Sequence, residues 1–170
     1  MVEKGNTKHF VVKIGENMKP EKMKIKDLSQ LIEMHKSNWG NRGLFKYSVY
    51  KSIIEQNLSY VYKVGDDVLG VCLMEYIPSQ KNVEVDLICI KKELQGNHLG
   101  KSLLSFCINN CKNLKYKSFS LHVSTRNIPA FNLYKKEGFV IKAFVKDYYH
   151  DNNPKDNDAY CMILDRKLNK

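Results

Sequence analysis

A mixed α/β fold, with a mostly antiparallel sheet of about six to seven strands flanked by about four helices, is what the order of periodicities along this chain predicts. Three observations carry it. Between Leu58 and Ile90, β-rich apolar runs are broken only by turn residues. From Leu99 to Cys111 the apolar period becomes that of a helix. After that, short strand-like and helical runs alternate. At 170 residues one domain is the expectation. Such a domain buries roughly 70% of the surface its unfolded chain exposes, enough for a core without staples. We assign residues 25–170 to it and treat residues 1–24 as a lysine-rich lead-in, part of which can join the fold.

The elements follow in order. His9 to Ile14 reads as a first strand. Leu28, Leu31, Ile32 and His35 recur at helical spacing, as do Tyr47, Tyr50, Ile53 and Ile54. Trp39 to Gly43 is the loop between these two helices. Leu58 to Val64 and Val68 to Ile77 form a hairpin hinged at Gly65-Asp66-Asp67, and Val83 to Ile90 adds a third antiparallel strand after the Pro78 to Asn82 turn. Leu99, Leu103, Leu104, Cys107, Ile108 and Cys111 make the next helix. Phe119 to Val123 is a strand, Pro129 to Glu137 a short helix closed by Gly138, and Phe139 to Asp147 and Ala159 to Leu164 the last strands.

Composition removes several classes. The chain is 43% hydrophobic, with nine Gly and four Pro, which suits a globular domain and excludes collagen-like or low-complexity designs. No stretch approaches the ~20 apolar residues of a membrane span, and Met1 to Lys13 lacks the apolar run of a signal peptide, so a soluble cytoplasmic protein is expected. The five cysteines sit in apolar runs without zinc-site spacing and read as reduced, mostly buried thiols. The formal net charge is +10. Only Arg42, Arg126 and Arg166 are arginine, the residue suited to bidentate base readout, so sequence-specific nucleic-acid binding is not expected. Many lysines crowd the start of the chain, from Lys4 to Lys26.

The chemistry concentrates around two segments. Gln95-Gly96-Asn97-His98-Leu99-Gly100-Lys101 is a glycine-containing turn between a buried strand and a helix. There, backbone N–H groups and the helix dipole favour a phosphate, and Lys101 adds a cation. Farther on, Asn127, Ala130, Tyr134, Gly138 and Phe139 stand at fixed intervals through the short helix and its end.

These segments resemble the two signatures of the GNAT superfamily of acetyl-CoA-dependent N-acetyltransferases, and the resemblance runs from about Lys24 onward. The first, Gln/Arg-x-x-Gly-x-Gly/Ala, matches at Gln95 and Gly100 and departs at His98, where the family has glycine. The second matches at all five positions. Leu121-His122-Val123, Tyr148-Tyr149 and Asp158-Ala159-Tyr160-Cys161-Met162 are further similar to the N-terminal protein acetyltransferases, in particular the NatE-type catalytic subunit. That type's Phe-Pro-x-x-Tyr loop has no copy between Trp39 and Tyr47.

The resemblance implies the GNAT fold, acetyl-CoA as acetyl donor and no metal. Acetyl transfer to an amine needs a base for the amine and a proton for the departing thiolate. The implied catalytic residues are His122 and Glu84, sharing the base function, and Tyr134, which protonates the thiolate. The cofactor surface would comprise Ile88, Cys89, Ile90, Gln95, Gly96, Asn97, His98, Leu99, Gly100, Lys101, Asn127, Tyr134 and Lys136. Phe45, Asp86, Tyr148 and Tyr149 would meet the substrate. Strict alternation along Val83 to Ile90 places Glu84 and Asp86 on the face of Ile88 and Ile90, opposite Val83, Val85, Leu87 and Cys89. Adjacent Tyr148 and Tyr149 point in opposite directions if the strand still runs there.

The function expected is acetylation of the α-amino group of a peptide or protein N-terminus by direct attack. Acetylation of a small amine, such as an amino sugar or polyamine, is the alternative within the fold. A non-catalytic acetyl-CoA-binding or ribosome-contacting module is the alternative outside it. Expected partners are a peptide N-terminus, an auxiliary acetyltransferase subunit and the ribosome, met by the lysine-rich segment, with no membrane contact.

Overall fold

The computed structural model describes residues 18–111, 114–149 and 157–165; the strand expected at His9 to Ile14 lies outside them. Seven strands form one sheet: β1 (Glu21–Lys22), β2 (Tyr60–Val64), β3 (Asp67–Ile77), β4 (Asn82–Ile90), β5 (Ser118–Ser124), β6 (Val140–Val145) and β7 (Ala159–Asp165). Their order is β1-β2-β3-β4-β5-β7-β6. Four helices flank it: α1 (Leu28–Trp39), α2 (Tyr47–Glu55), α3 (Leu99–Asn110) and α4 (Ile128–Lys136). The mixed α/β architecture is the one the periodicities predict.

Each face of the sheet has its own core. Val61, Val71, Leu73 and Cys89 pack with Leu28, Leu31, Tyr50 and Ile53 under α1 and α2. Tyr62, Cys72, Met74, Val85, Phe119 and Leu121 pack with Leu99, Leu103 and Tyr134 under α3 and α4. The lead-in takes part in this packing. Met23 is 4% exposed, β1 pairs with β2, and Lys63 holds Asp27 in a buried ion pair at 2.9 Å. Of the early lysines, Lys22 lies over the Tyr60 ring and Lys26 pairs with Asp66.

All neighbouring strands are antiparallel except β4 and β5. That parallel ladder covers only Asn82↔Ser118, Val83↔Phe119 and Glu84↔Ser120, although both strands run on. Beyond Glu84, β4 and β5 no longer bond each other. A bulge sits at the same place: Leu73 pairs with Leu87 but Met74 pairs with Val85, leaving Asp86 as the extra residue.

This bulge overturns the strict alternation expected for β4. One inserted residue reverses the parity of every side chain beyond it. Val83 and Val85 therefore share a core cluster with Ile90, with Ile88 packed against it, while Leu87 and Cys89 belong to the opposite layer. Likewise, the strand expected to reach Asp147 ends at Val145, because Asp147 turns into left-handed backbone at φ 53°.

Candidate active site

On β5, Phe119, Leu121 and Val123 point into the core, so Ser118, Ser120, His122 and Ser124 line the other face. A chain of side-chain hydrogen bonds crosses from β4 to β5 on that face. Ser118 Oγ donates to Asn82 Oδ1 at 3.0 Å, and Asn82 Nδ2 donates to Ser120 Oγ at 2.6 Å. Ser120 Oγ in turn donates to Glu84 Oε2 at 2.7 Å. His122 Nδ1 lies 3.0 Å from Glu84 Oε1.

Burial works against the charge on Glu84, but hydrogen bonds from His122 and Ser120 outweigh it and hold the carboxyl below its ordinary value. A charged carboxylate only accepts. Nδ1 of neutral His122 therefore carries the hydrogen, and Nε2 is left with its lone pair.

Both tyrosines reach this histidine. The Tyr148 ring stacks on the imidazole with centroids 4.2 Å apart and planes 10° from parallel. Tyr149 donates its hydroxyl to the His122 carbonyl at 3.3 Å, and its ring meets Tyr148 edge-on at 4.8 Å. Opposite directions would hold only in a continuing strand. Here β6 has ended, and the turn is held by Asp147 N–H on Asp158 Oδ1 and Tyr149 N–H on the Asn157 carbonyl. Burial, with Glu84 nearby, pushes the Tyr148 phenol up to about 12, and burial also raises Tyr149. Both remain neutral donors at physiological pH.

Asp86, the bulge residue, has a buried Oδ2 without a hydrogen-bond partner among the described residues. Burial, then the charges of Glu84 and Glu75, push its carboxyl up to about 8. Phe45 packs its ring on Tyr50 at 5.3 Å. The loop side chain that meets the tyrosine pair is instead Arg42, whose guanidinium lies 4.7 Å from the Tyr149 ring centroid. Sequence reasoning missed Arg42 as a site residue. Its signal was slight: one of three arginines, standing where the substrate loop of the NatE type would fall.

The turn before α3 holds itself together. Gly96 and His98 both adopt left-handed backbone, at φ 78° and 61°, a conformation histidine enters at a modest cost. Asn97 Nδ2 donates to the Leu94 and Gln95 carbonyls. Gln95 Nε2 donates to Asn38 Oδ1 and to the Ile90 carbonyl, tying the end of β4 to α1. Gly100 faces Ile88 and Ile90, which a Cβ there would meet at 3.7 Å. No side chain caps α3, so its first-turn N–H groups are left for a ligand, as a phosphate site requires.

The other proposed cofactor residues lie as follows. Cys89 buries its side chain in the layer of α1 and α2, where Asn38 Nδ2 lies 3.2 Å from Sγ. Lys101 Nζ is 3.6 Å from Glu137 Oε1, and Lys136 is exposed. Asn127 Oδ1 caps α4 by accepting from the Ala130 N–H at 3.2 Å. Tyr134 is buried at 8% exposure, which raises its phenol. The five cysteines are free thiols, four of them buried. Among the described residues no group of His, Cys, Asp and Glu could hold a metal ion, and no helix is long and apolar enough to cross a membrane.

Comparison with known proteins places these residues in context. The profile of the Acetyltransferase (GNAT) family matches residues 28–139. A Bacillus subtilis (strain 168) relative described as a putative [ribosomal protein bS18]-alanine N-acetyltransferase is 28% identical over 142 residues, covering 82% of this chain and 90% of the relative. Arabidopsis thaliana Naa50, solved with the bisubstrate analogue CoA-Ac-MVNAL, superposes with a TM-score of 0.74 at 22% identity, over 88% of this chain and 99% of that one. Ard1 from Thermoplasma volcanium gives 0.76 at 20% identity, over 88% and 98%.

Proposed function

The chain belongs to the GNAT acetyltransferase family and is an acetyl-CoA-dependent N-acetyltransferase, and we propose that its acceptor is the α-amino group of a peptide or protein N-terminus. The observation that carries the reading is the closure of Tyr148 and Tyr149 over His122. The neutral Tyr148 phenol keeps a donor for a peptide backbone, while Tyr149, its hydroxyl committed to the His122 carbonyl, adds its ring as a wall for the first side chain. Two similar proteins, named for ribosomal protein alanine acetylation and for a complex with an acetylated peptide analogue, support the same acceptor class.

In this reading the acceptor amine loses a proton to His122 Nε2, directly or through one water, while the Glu84 carboxylate balances the positive charge that develops on the ring. The amine nitrogen attacks the acetyl carbonyl carbon and the carbon–sulfur bond breaks. Tyr134 gives its phenolic proton to the departing thiolate. The α3 N-terminus binds the phosphates of acetyl-CoA, which as acetyl donor is a substrate of the reaction.

Glu75 and Glu84, whose charges both act on Asp86, would also suit a polycation, so a polyamine is the rival acceptor. The deciding experiment is acetyl-CoA turnover on peptides varied at the first two residues, with spermidine and amino sugars as controls. Peptide-dependent turnover, with kcat falling ~10²- to 10⁴-fold in Tyr134→Phe, is the expected result. Turnover of small amines alone would overturn it. The reading carries with it a cytoplasmic location and a ribosome contact through the lysines that precede residue 18.

A further inference from the structure

Arg42 is the most conspicuous unsatisfied group in the loop between α1 and α2. Its backbone is anchored from behind, where His35 Nε2 sits 2.6 Å from the Arg42 carbonyl oxygen. His35 is itself 4% exposed in the core. Burial lowers the His35 imidazole, against the raising effect of that bond, so the neutral ring donates to the carbonyl. The next residue, Gly43, turns the chain at φ 68° and faces the Tyr149 ring, which a Cβ there would meet at 3.8 Å. The guanidinium is thereby presented to Tyr149, the residue whose hydroxyl bonds the His122 carbonyl.

Among the described residues the guanidinium finds no acceptor. Its Nη2 is buried with no hydrogen-bond partner, and Arg42 forms no ion pair among the described residues. Tyr149 satisfies one face of the group through its ring but accepts nothing from the N–H fork. A partly desolvated cation without a counter-charge is costly, and the complement that best removes the cost is a carboxylate, which takes the fork with two charge-assisted hydrogen bonds.

Resting on the peptide reading above, we propose that Arg42 is a specificity residue that selects substrates carrying an acidic side chain at the second or third position. The amine end of such a peptide lies with His122 and Glu84, and its acidic side chain lies on Arg42 across the tyrosine pair. The rest of the substrate contributes equally to acidic and neutral peptides.

The test compares peptides that share a first residue and carry Glu or Gln at position two or three. In the wild type, kcat/KM for Glu should exceed that for Gln by about tenfold or more at one of the two positions, through KM. The ratio should approach one in Arg42→Ala and Arg42→Gln and be partly kept in Arg42→Lys, which retains the charge without the fork. Thermal melting with acetyl-CoA separates misfolding from loss of selectivity, and the isosteric Arg42→Gln provides a second reading if Arg42→Ala unfolds. Peptide turnover with equal use of Glu and Gln in the wild type, or an unchanged ratio in the variants, would overturn this proposal alone. Turnover of spermidine or an amino sugar without any peptide would overturn it together with the peptide reading.

Discussion

His122 and Glu84 stand 38 positions apart in the chain, yet Nδ1 of one lies 3.0 Å from Oε1 of the other across the parallel strands β5 and β4. The pair orients the imidazole and leaves Nε2 outside it; in the proposed mechanism Nε2 takes the acceptor's proton. Replacing His122 by Ala should lower kcat/KM by ~10²- to 10⁴-fold, and Glu84→Gln, which keeps shape but not charge, should lower it less. Steady-state kinetics on one good peptide checks this. Equal KM values with a reduced kcat would mark a chemical role, whereas a KM effect alone would mark a binding role.

Asp86 makes stability depend on pH in an unusual direction. Its carboxyl is raised to about 8 in the fold, by burial first and by Glu84 and Glu75 second, against about 3.9 in an unfolded chain. Between those values the folded state holds the proton that the unfolded state has lost, so the contribution of this group to stability falls as pH rises from about 4 to 8 and is level above. Asp86→Asn should remove that slope and be more stable than the wild type at pH 8 by at least ~1 kcal/mol. Chemical denaturation at pH 5 and pH 8 measures it, and an unchanged slope in the variant would show that Asp86 is not the titrating group.

At φ 61°, His98 occupies a conformation that glycine adopts freely. His98→Gly should therefore stabilise the fold by roughly 0.5–1 kcal/mol, a rise of ~1–4 °C in Tm for a domain of this size. If backbone N–H groups rather than the imidazole hold the phosphates, as proposed above, the KM for acetyl-CoA should stay within about threefold. A lower Tm with a weaker KM would mean that the ring itself makes a contact with the cofactor.

The lysines of the lead-in divide into two groups. Met23 is in the core and Glu21–Lys22 is in the sheet, so truncation at residue 26 would damage the fold itself. Removing residues 1–17, which carry Lys4, Lys8 and Lys13, should weaken co-sedimentation with ribosomes at low salt. Undiminished co-sedimentation would overturn the ribosome contact.

Much of this could be read from residue order. The stripe from Leu99 to Cys107 forecast α3 to the residue at its start, and the hairpin around Gly65 lies where its turn residues put it. Asn127 announced a motif position, and in the fold its side chain also caps α4. Arg42 could not be read in this way, because its meeting with Tyr149 joins two loops more than 100 positions apart and leaves no period or spacing in either.

Local sequence thus determined the elements, the phosphate-type turn and the identity of the chemical groups, since periodicity and backbone preference act over a few residues. Tertiary structure decided which groups meet. A single extra residue at Asp86 reversed the parity of β4, so that Glu84 bonds His122 while Asp86 is left buried with no partner for Oδ2 among the described residues. The left-handed turn at Asp147 ended β6 and let both tyrosines close on the same histidine. A left-handed residue such as Asp147 costs only about 1–3 kcal/mol, and whether the fold accepts it is decided by packing across the sheet rather than by any stretch of neighbouring residues.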